Sequence, residues 1–267
     1  EQITIPKELL PADGRFCCGP SKVRHEQIDA IVVARDTLLG TSHRKPPVKN
    51  LVGAVRSKLD NLFQLPDGWE IVLGNGGSTV FWDIATFGLV RGRSQHAVFG
   101  EFSSKFAHAC AAAPHLGDPS VMESDVGTHP TLVAEEGIDV YALTHNETST
   151  GVAMDLRRPT GTSAGSSLVV VDATSAAGGL TWSPSEVDVY YFAPQKCFAS
   201  DGGLWLAACS PAAVDRINEI GSSPRWRPAS LDLKVALDNS TKNQTYNTPA
   251  VATLVMLNEQ LDWMLDS

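Results

Sequence analysis

Three runs of the sequence, Ile138 to Leu143, Leu168 to Val171 and Val187 to Phe192, are β-branched and aromatic with little polar alternation. A strand with one wet face alternates, so a continuous apolar run belongs to a central strand covered on both faces. From Trp69 onward, further short runs alternate with helix-like stretches. Glu70 to Leu73 is a strand candidate stopping at Gly74-Asn75-Gly76-Gly77, followed by a helix over 78–90 with Ser78 or Thr79 placed as N-cap. His96 to Phe99 and Phe102 to Ala113 read as the next strand and helix. Leu204 to Ala208 reads as a strand returning to the same sheet, and Pro211 to Ile220 as a helix with proline in its first turn. This alternation predicts an α/β fold with a mainly parallel central sheet and helices on both faces. The segment from Pro224 to Asn247 reads as irregular and polar, and Pro249 opens a last apolar helix.

A chain of 267 residues, 43% hydrophobic and 19% charged, is long enough for one large domain or one plus a fragment. Disorder, collagen and coiled coil are excluded by that composition. A net charge of −9 and a pI of about 5.2 argue against non-specific binding to nucleic acid or an anionic membrane. No basic patch, zinc spacing or recognition-helix pattern points to nucleic acid either. No apolar stretch reaches the ~20 residues that span a bilayer, and the first residues lack the apolar region of a secretory signal. The five cysteines are odd in number without CxxC spacing, so Cys17 and Cys18 read as reduced residues near a turn, and no metal site is expected. The Asn-x-Ser/Thr triplets at Asn146, Asn239 and Asn243 read as coincidence in a cytoplasmic protein.

Ligands of open α/β sheets bind beyond the carboxyl ends of the strands. After Leu73 comes GNGGST, after Leu143 THNETSTG, after Val171 DATSAAG and after Phe192 APQKCFASDGG. On one rim these turns would bring together an anion cradle at a helix N-terminus, hydroxyls, one carboxylate and one lysine. GNGGST is neither a Walker A loop nor GxGxxG. Asp172 ends a run of three valines, where a partly buried carboxylate needs a cationic or hydrogen-bonding partner. Lys196 ends an equally apolar run, where desolvation makes a lysine a Schiff-base nucleophile. Singly, each has an ordinary structural explanation: a tight turn, a helix cap, a snorkelling lysine. Together they match the handles of pyridoxal 5'-phosphate: phosphate, ring nitrogen and aldehyde carbon.

The blocks FCCGPSKV, GTSHR, GNGGSTVFWD, HNETSTG, VVVDATS, FAPQKCFASDGG and YNTPA, in that order from about Phe16 onward, resemble phosphoserine aminotransferases, most closely the actinobacterial form. The resemblance implies the large domain of a fold-type I pyridoxal-phosphate enzyme and a homodimer with its site at the subunit boundary. It implies that Lys196 carries the cofactor and shuttles the substrate proton, and that Asp172 keeps the pyridine nitrogen protonated. Gly77, Ser78 and Gln195 match phosphate ligands, Thr148 a hydroxyl supporting the ring, and Phe102 the aromatic residue stacked on it. Asn247 and Thr248 match a pair reaching the neighbouring subunit's phosphate site. His43 and Arg44 match a pair binding the substrate's anionic groups, for which a planar guanidinium suits a carboxylate or phosphate.

The implied reaction exchanges O-phospho-L-serine and 2-oxoglutarate with 3-phosphonooxypyruvate and L-glutamate in serine biosynthesis. Some relatives also use phosphohydroxythreonine in vitamin B6 synthesis. Such anionic substrates require local positive potential from Arg44, Lys196 and a partner subunit despite the net charge. Two residues depart from many relatives: Ser78 stands where they have Arg, and Phe102 where they have Trp. The expected organisation is an N-terminal segment 1–25 that packs with the small domain, a cofactor-binding domain 26–250, and the start of a connecting helix, 251–267. The family's small C-terminal domain, with its carboxylate-clamping arginine, is expected to be largely absent from the chain. The alternatives are another class-V enzyme, an alanine/serine–glyoxylate aminotransferase or cysteine desulfurase, and a non-catalytic protein on the same scaffold. Retention of Lys196 speaks against the last.

Overall fold

The computed structural model describes residues 3–11, 13–15 and 17–266, so Phe16 and Ser267 lie outside the described residues. Among the described residues two α-helices precede the first strand: α1 (His25–Ala34) and α2 (Pro46–Phe63). Then come β1 (Glu70–Gly76), α3 (Ser78–Gly88), β2 (Ser94–Val98), α4 (Glu101–Ala112), β3 (Ser120–Glu123) and β4 (Val140–Thr144). A small hairpin, β5 (Asn146–Glu147) and β6 (Val152–Ala153), leads to β7 (Leu168–Asp172), β8 (Val189–Phe192) and β9 (Gly203–Cys209). Three helices complete the chain: α5 (Pro211–Gly221), α6 (Leu233–Ser240) and α7 (Val251–Asp266).

Seven strands form one sheet in the order β1-β9-β8-β7-β4-β2-β3. β8, β7, β4, β2 and β3 pair in parallel, whereas β9 runs antiparallel to both β8 and β1. β1 therefore points the same way as the parallel strands, and the carboxyl ends of β1, β2, β4, β7 and β8 share one rim. The apolar runs divide with the two-residue period of a strand. Val169, Val171, Tyr190 and Phe192 face a core closed by α2 and α7. Leu168, Val170, Val189 and Tyr191 face a second core, with α3, α4, α5 and α6. Both faces are dry, which is why these strands lack polar alternation.

Three readings of the sequence change. β1 does not stop at Leu73 but runs to Gly76, because β9 continues to pair with it through Gly76↔Gly203. A Cβ at Gly74 would lie 2.7 Å from the Trp205 indole on β9, so the glycine there makes room for a cross-strand ring. The polar segment 224–247 contains α6, capped by Asp232, whose carboxylate accepts the N–H groups of Lys234 and Val235. Leu233 and Leu237 are its buried residues on the second core, too few for a periodicity to show among polar neighbours. The N-cap of α3 is Gly77, with no side-chain cap bond, in place of Ser78 or Thr79.

Phe81 stands at the centre of the second core, fully buried, stacked on Tyr191 with ring centroids 4.4 Å apart and tilted against Trp205 at 5.2 Å. Phe81→Ala is expected to lower unfolding free energy by about 3–5 kcal/mol, measured by urea denaturation. A loss below about 1 kcal/mol would show that the second core can close over the cavity.

Candidate active site

The connections that follow β1, β2, β4, β7 and β8 close around a cavity of about 230 Å³ lined by Gly77, Ser78, Phe102, Thr148, Asp172, Gln195 and Lys196. Seven of the residues expected from the sequence are thus brought together. Its wall also holds Thr79, Trp82, Thr144, Asn146, Thr174 and Ser175.

Asp172 is the last residue of β7, buried at the base of the cavity. Oδ1 accepts the Thr174 N–H at 3.0 Å and the Thr174 hydroxyl at 2.5 Å. Oδ2 accepts Trp82 Nε1–H at 3.1 Å and the Tyr191 hydroxyl at 3.2 Å. Burial pushes this carboxyl above its ordinary range, and the four donors, all neutral, only partly oppose it. A cationic N–H beside it would supply the opposite charge these donors lack.

The N-terminus of α3 meets the same cavity. The first N–H groups of a helix have no intrahelical acceptor and carry partial positive charge. No acidic side chain occupies this first turn, and a Cβ at Gly77 would meet nothing within 4 Å. The Ser78 hydroxyl turns to Thr174, 2.6 Å away, tying the helix start to the Asp172 turn. Across the cavity, the Thr148 hydroxyl and Asn146 Nδ2 both donate to Ser175 Oγ at 2.9 Å. Phe102, 37% exposed, presents its ring at the mouth. Gln195 Oε1 is buried, with no hydrogen-bond partner among the described residues.

Lys196 is half-buried after β8, and its ammonium donates to the Cys18 carbonyl at 2.8 Å. The segment from Cys18 to Ser21 crosses over it, with Ser21 N–H bonded to the Gln195 carbonyl at 2.7 Å. Gly19 has φ +113°, and a Cβ there would lie 2.6 Å from Lys196 Cδ, so both the backbone and the space require glycine. The donor set therefore fits pyridoxal phosphate: an open helix N-terminus for phosphate, a buried carboxylate for a ring N–H, a primary amine and a flanking aromatic ring.

His43, Arg44, Asn247 and Thr248 are not in this cavity. His43 Nδ1 and the Thr248 hydroxyl lie 3.1 Å apart, and Arg44 donates to Gln244 Oε1 at 2.8 Å. Asn75, on the last turn of β1, joins this cluster to the rim by donating to the Thr248 carbonyl at 2.7 Å. Asn247 lines a separate cavity with Asn75, Trp205 and Tyr246. Burial and the neighbouring Arg44 lower the pKa of His43, favouring the neutral ring.

Sequence reading did not single out Trp82, Thr144, Thr174 and Ser175, and gave Asn146 no role of its own within the HNETSTG block. Trp82 had a signal: it follows Ser78 by four residues on α3 and so shares its face. The pH dependence of stability follows from Asp172. Its raised folded pKa favours the protonated form, a contribution complete below the unfolded value and lost as pH rises through the folded one. In cofactor-free protein, the wild-type melting temperature should therefore gain on that of Asp172→Asn as pH is lowered from neutrality. Parallel curves for the two proteins would contradict the raised pKa.

No protein-family model matches the chain. A phosphoserine aminotransferase of Nocardioides sp. is 62% identical over 264 residues, covering 99% of this chain and 71% of the relative. That of Corynebacterium glutamicum is 58% identical over 261 residues, covering 98% and 69%. Among solved structures, a phosphoserine aminotransferase from Cytophaga hutchinsonii superposes with a TM-score of 0.84 at 22% identity, covering 93% of this chain and 70% of that one. A pyridoxal-phosphate-bound phosphoserine aminotransferase from Trichomonas vaginalis gives 0.76 at 18% identity, covering 94% and 74%. The structural matches establish the fold of a pyridoxal-phosphate aminotransferase. Identity above half along nearly the whole chain establishes more: the chain belongs to the phosphoserine aminotransferase family.

Proposed function

We propose that the chain acts as a phosphoserine transaminase, exchanging the amino group between O-phospho-L-serine and 2-oxoglutarate in serine biosynthesis. Phosphohydroxythreonine, with a phosphate and a carboxylate of its own, is a second substrate in this reading. The observation that carries it is the convergence of Asp172, Lys196 and the open N-terminus of α3 on one cavity. Pyridoxal phosphate, when bound, supplies an electron sink for the bond at the substrate α-carbon.

The chain's own residues do the rest. The Gly77–Ser78 turn and Gln195 hold the phosphate. Asp172 keeps a proton on the ring nitrogen, the charge that its neutral donors leave uncompensated. Thr148 and the Phe102 ring fix the plane of the cofactor. With the cofactor bound, Lys196 Nζ would take the proton from the substrate α-carbon and deliver it to the cofactor C4′, acting as a positioned general base and then acid. Its bond to the Cys18 carbonyl keeps the amine at the rim when it is free.

His43, Arg44, Asn247 and Thr248 complete a second subunit's site in a homodimer. Their clustering outside their own chain's cavity supports this reading, as does the exposure of Arg44. Arg44 then grips a substrate anion, and Asn247 with Thr248 the partner's cofactor phosphate. Residues 26–250 form the cofactor-binding body, with 1–25 and 251–267 leading to the small domain that a phosphoserine aminotransferase carries. All five cysteines are free and among the described residues no helix is long and apolar enough to cross a membrane, which supports a cytoplasmic enzyme.

With pyridoxal phosphate the purified chain should acquire a visible absorbance band that Lys196→Ala lacks and that phosphoserine removes. A band in the variant would remove Lys196 from its role. A band indifferent to phosphoserine would point to another substrate. Co-expression of Arg44→Ala with Lys196→Ala tests the shared site: hybrid dimers hold one intact site, so about a quarter of wild-type activity should return. Activity no higher than that of either variant alone would place Arg44 in its own chain's site.

A further inference from the structure

Helix α4 begins against a carboxylate that arrives from a distant part of the chain. Glu147, fully buried, accepts the Phe102 N–H at 3.1 Å and the Ser103 N–H at 2.8 Å on Oε2. Its Oε1 accepts the Ser149 hydroxyl at 2.7 Å and the Ser149 N–H at 3.2 Å. The Ser149 hydroxyl in turn accepts the Glu101 N–H at 2.9 Å. The first three N–H groups of α4 therefore all end on the β4–β6 connection. The partial positive charge that α3 leaves open toward the cavity is here neutralised inside the chain. Gly100 leaves the room: a Cβ there would collide with Glu147 Cγ and lie 2.5 Å from Ser149 Oγ.

The two ends of this junction are both cavity residues. Phe102 hangs from the capped turn, and Thr148 directly follows Glu147. The Phe102 ring meets no other aromatic ring among the described residues, and the Lys105 ammonium, on its own helix, lies 5.5 Å from the ring centroid. The ring is also partly exposed, so the backbone that carries it helps to set its placement. We propose that Glu147 is a positioning residue for the cofactor: it fixes Phe102 and Thr148 relative to each other across the mouth of the cavity, although it lines no part of the cavity itself. Burial raises the pKa of this carboxyl, but hydrogen bonds from Ser103 and Ser149 together outweigh it and hold the group below its ordinary range. The inference rests on the reading of this cavity as the pyridoxal-phosphate site.

The test is a double-variant cycle on cofactor affinity, read by quenching of tryptophan fluorescence in the whole chain and independent of turnover. Phe102→Leu should weaken binding of pyridoxal phosphate about 5-fold. Glu147→Gln, which turns an amide N–H₂ toward donors, should weaken it about 10-fold. The double variant should be no weaker than Glu147→Gln alone, because the ring is already misplaced. A purely structural role would lower the melting temperature yet leave the two losses to multiply, and that result overturns the proposal, as does an unchanged affinity in Glu147→Gln. If Glu147→Gln fails to fold, Ser149→Ala replaces it in the cycle, with a smaller loss that again must not multiply with that of Phe102→Leu. A wild-type chain that takes up no pyridoxal phosphate overturns the reading of the cavity and the proposal with it, whereas intact binding with multiplying losses overturns the proposal alone.

Discussion

The buried carboxylate of Asp172 is the constraint around which the site is arranged. A sheet covered on both faces buries the carboxylate at the end of β7, so its oxygens find their donors in the protein. The donors come from three elements: the Thr174 turn, Trp82 on α3 and Tyr191 on β8. Each fixes the distance of its element from β7. The Ser78–Thr174 contact extends the same network to the start of α3. None of these donors is charged, and loss of any one would leave a buried acceptor short at a cost of about 1–3 kcal/mol. Burial disfavours the charged form of this carboxyl, and a cationic partner beside it would favour that form.

The two helices that start at this rim treat their N-termini in opposite ways. α3 follows an N-cap glycine, Gly77, beside which a Cβ would meet nothing within 4 Å among the described residues, and has no acidic residue in its first turn. α4 has its first N–H groups filled by Glu147 and Ser149 from a loop that follows β4. One end is thereby available to an anion from solution, and the other serves to anchor side chains. The segment over Lys196 adds a third device, since only a glycine at position 19 lets Cys18 approach the ammonium.

Much of this was legible in order along the chain. The valine and aromatic runs identified the central strands, since a strand dry on both faces has no polar alternation to conceal it. Asp172 and Lys196 stood out as ionisable residues ending such runs, and the glycine turn before α3 as an open helix start. Helices α1 and α2 were passed over, and α6 was hidden because only Leu233 and Leu237 of its short length, with its Ser240 hydroxyl, are buried. Trp82 was visible in principle through its four-residue spacing from Ser78, but Tyr191 looked like any other core aromatic. Glu147 had no local signal for its place against α4, because its partners on that helix lie 44 and 45 residues away.

The sequence by itself therefore determined the sheet, the rim and the chemistry carried to it, because burial and backbone geometry are written in local composition and period. The tertiary structure decided which residues share a cavity. It placed Trp82, Thr174 and Tyr191 on Asp172, and separated His43, Arg44, Asn247 and Thr248 into a cluster of their own. It also set Glu147 against α4. These relations depend on strand order and on the approach of distant loops, and a hydrogen bond between remote residues leaves no periodic mark on either segment that makes it.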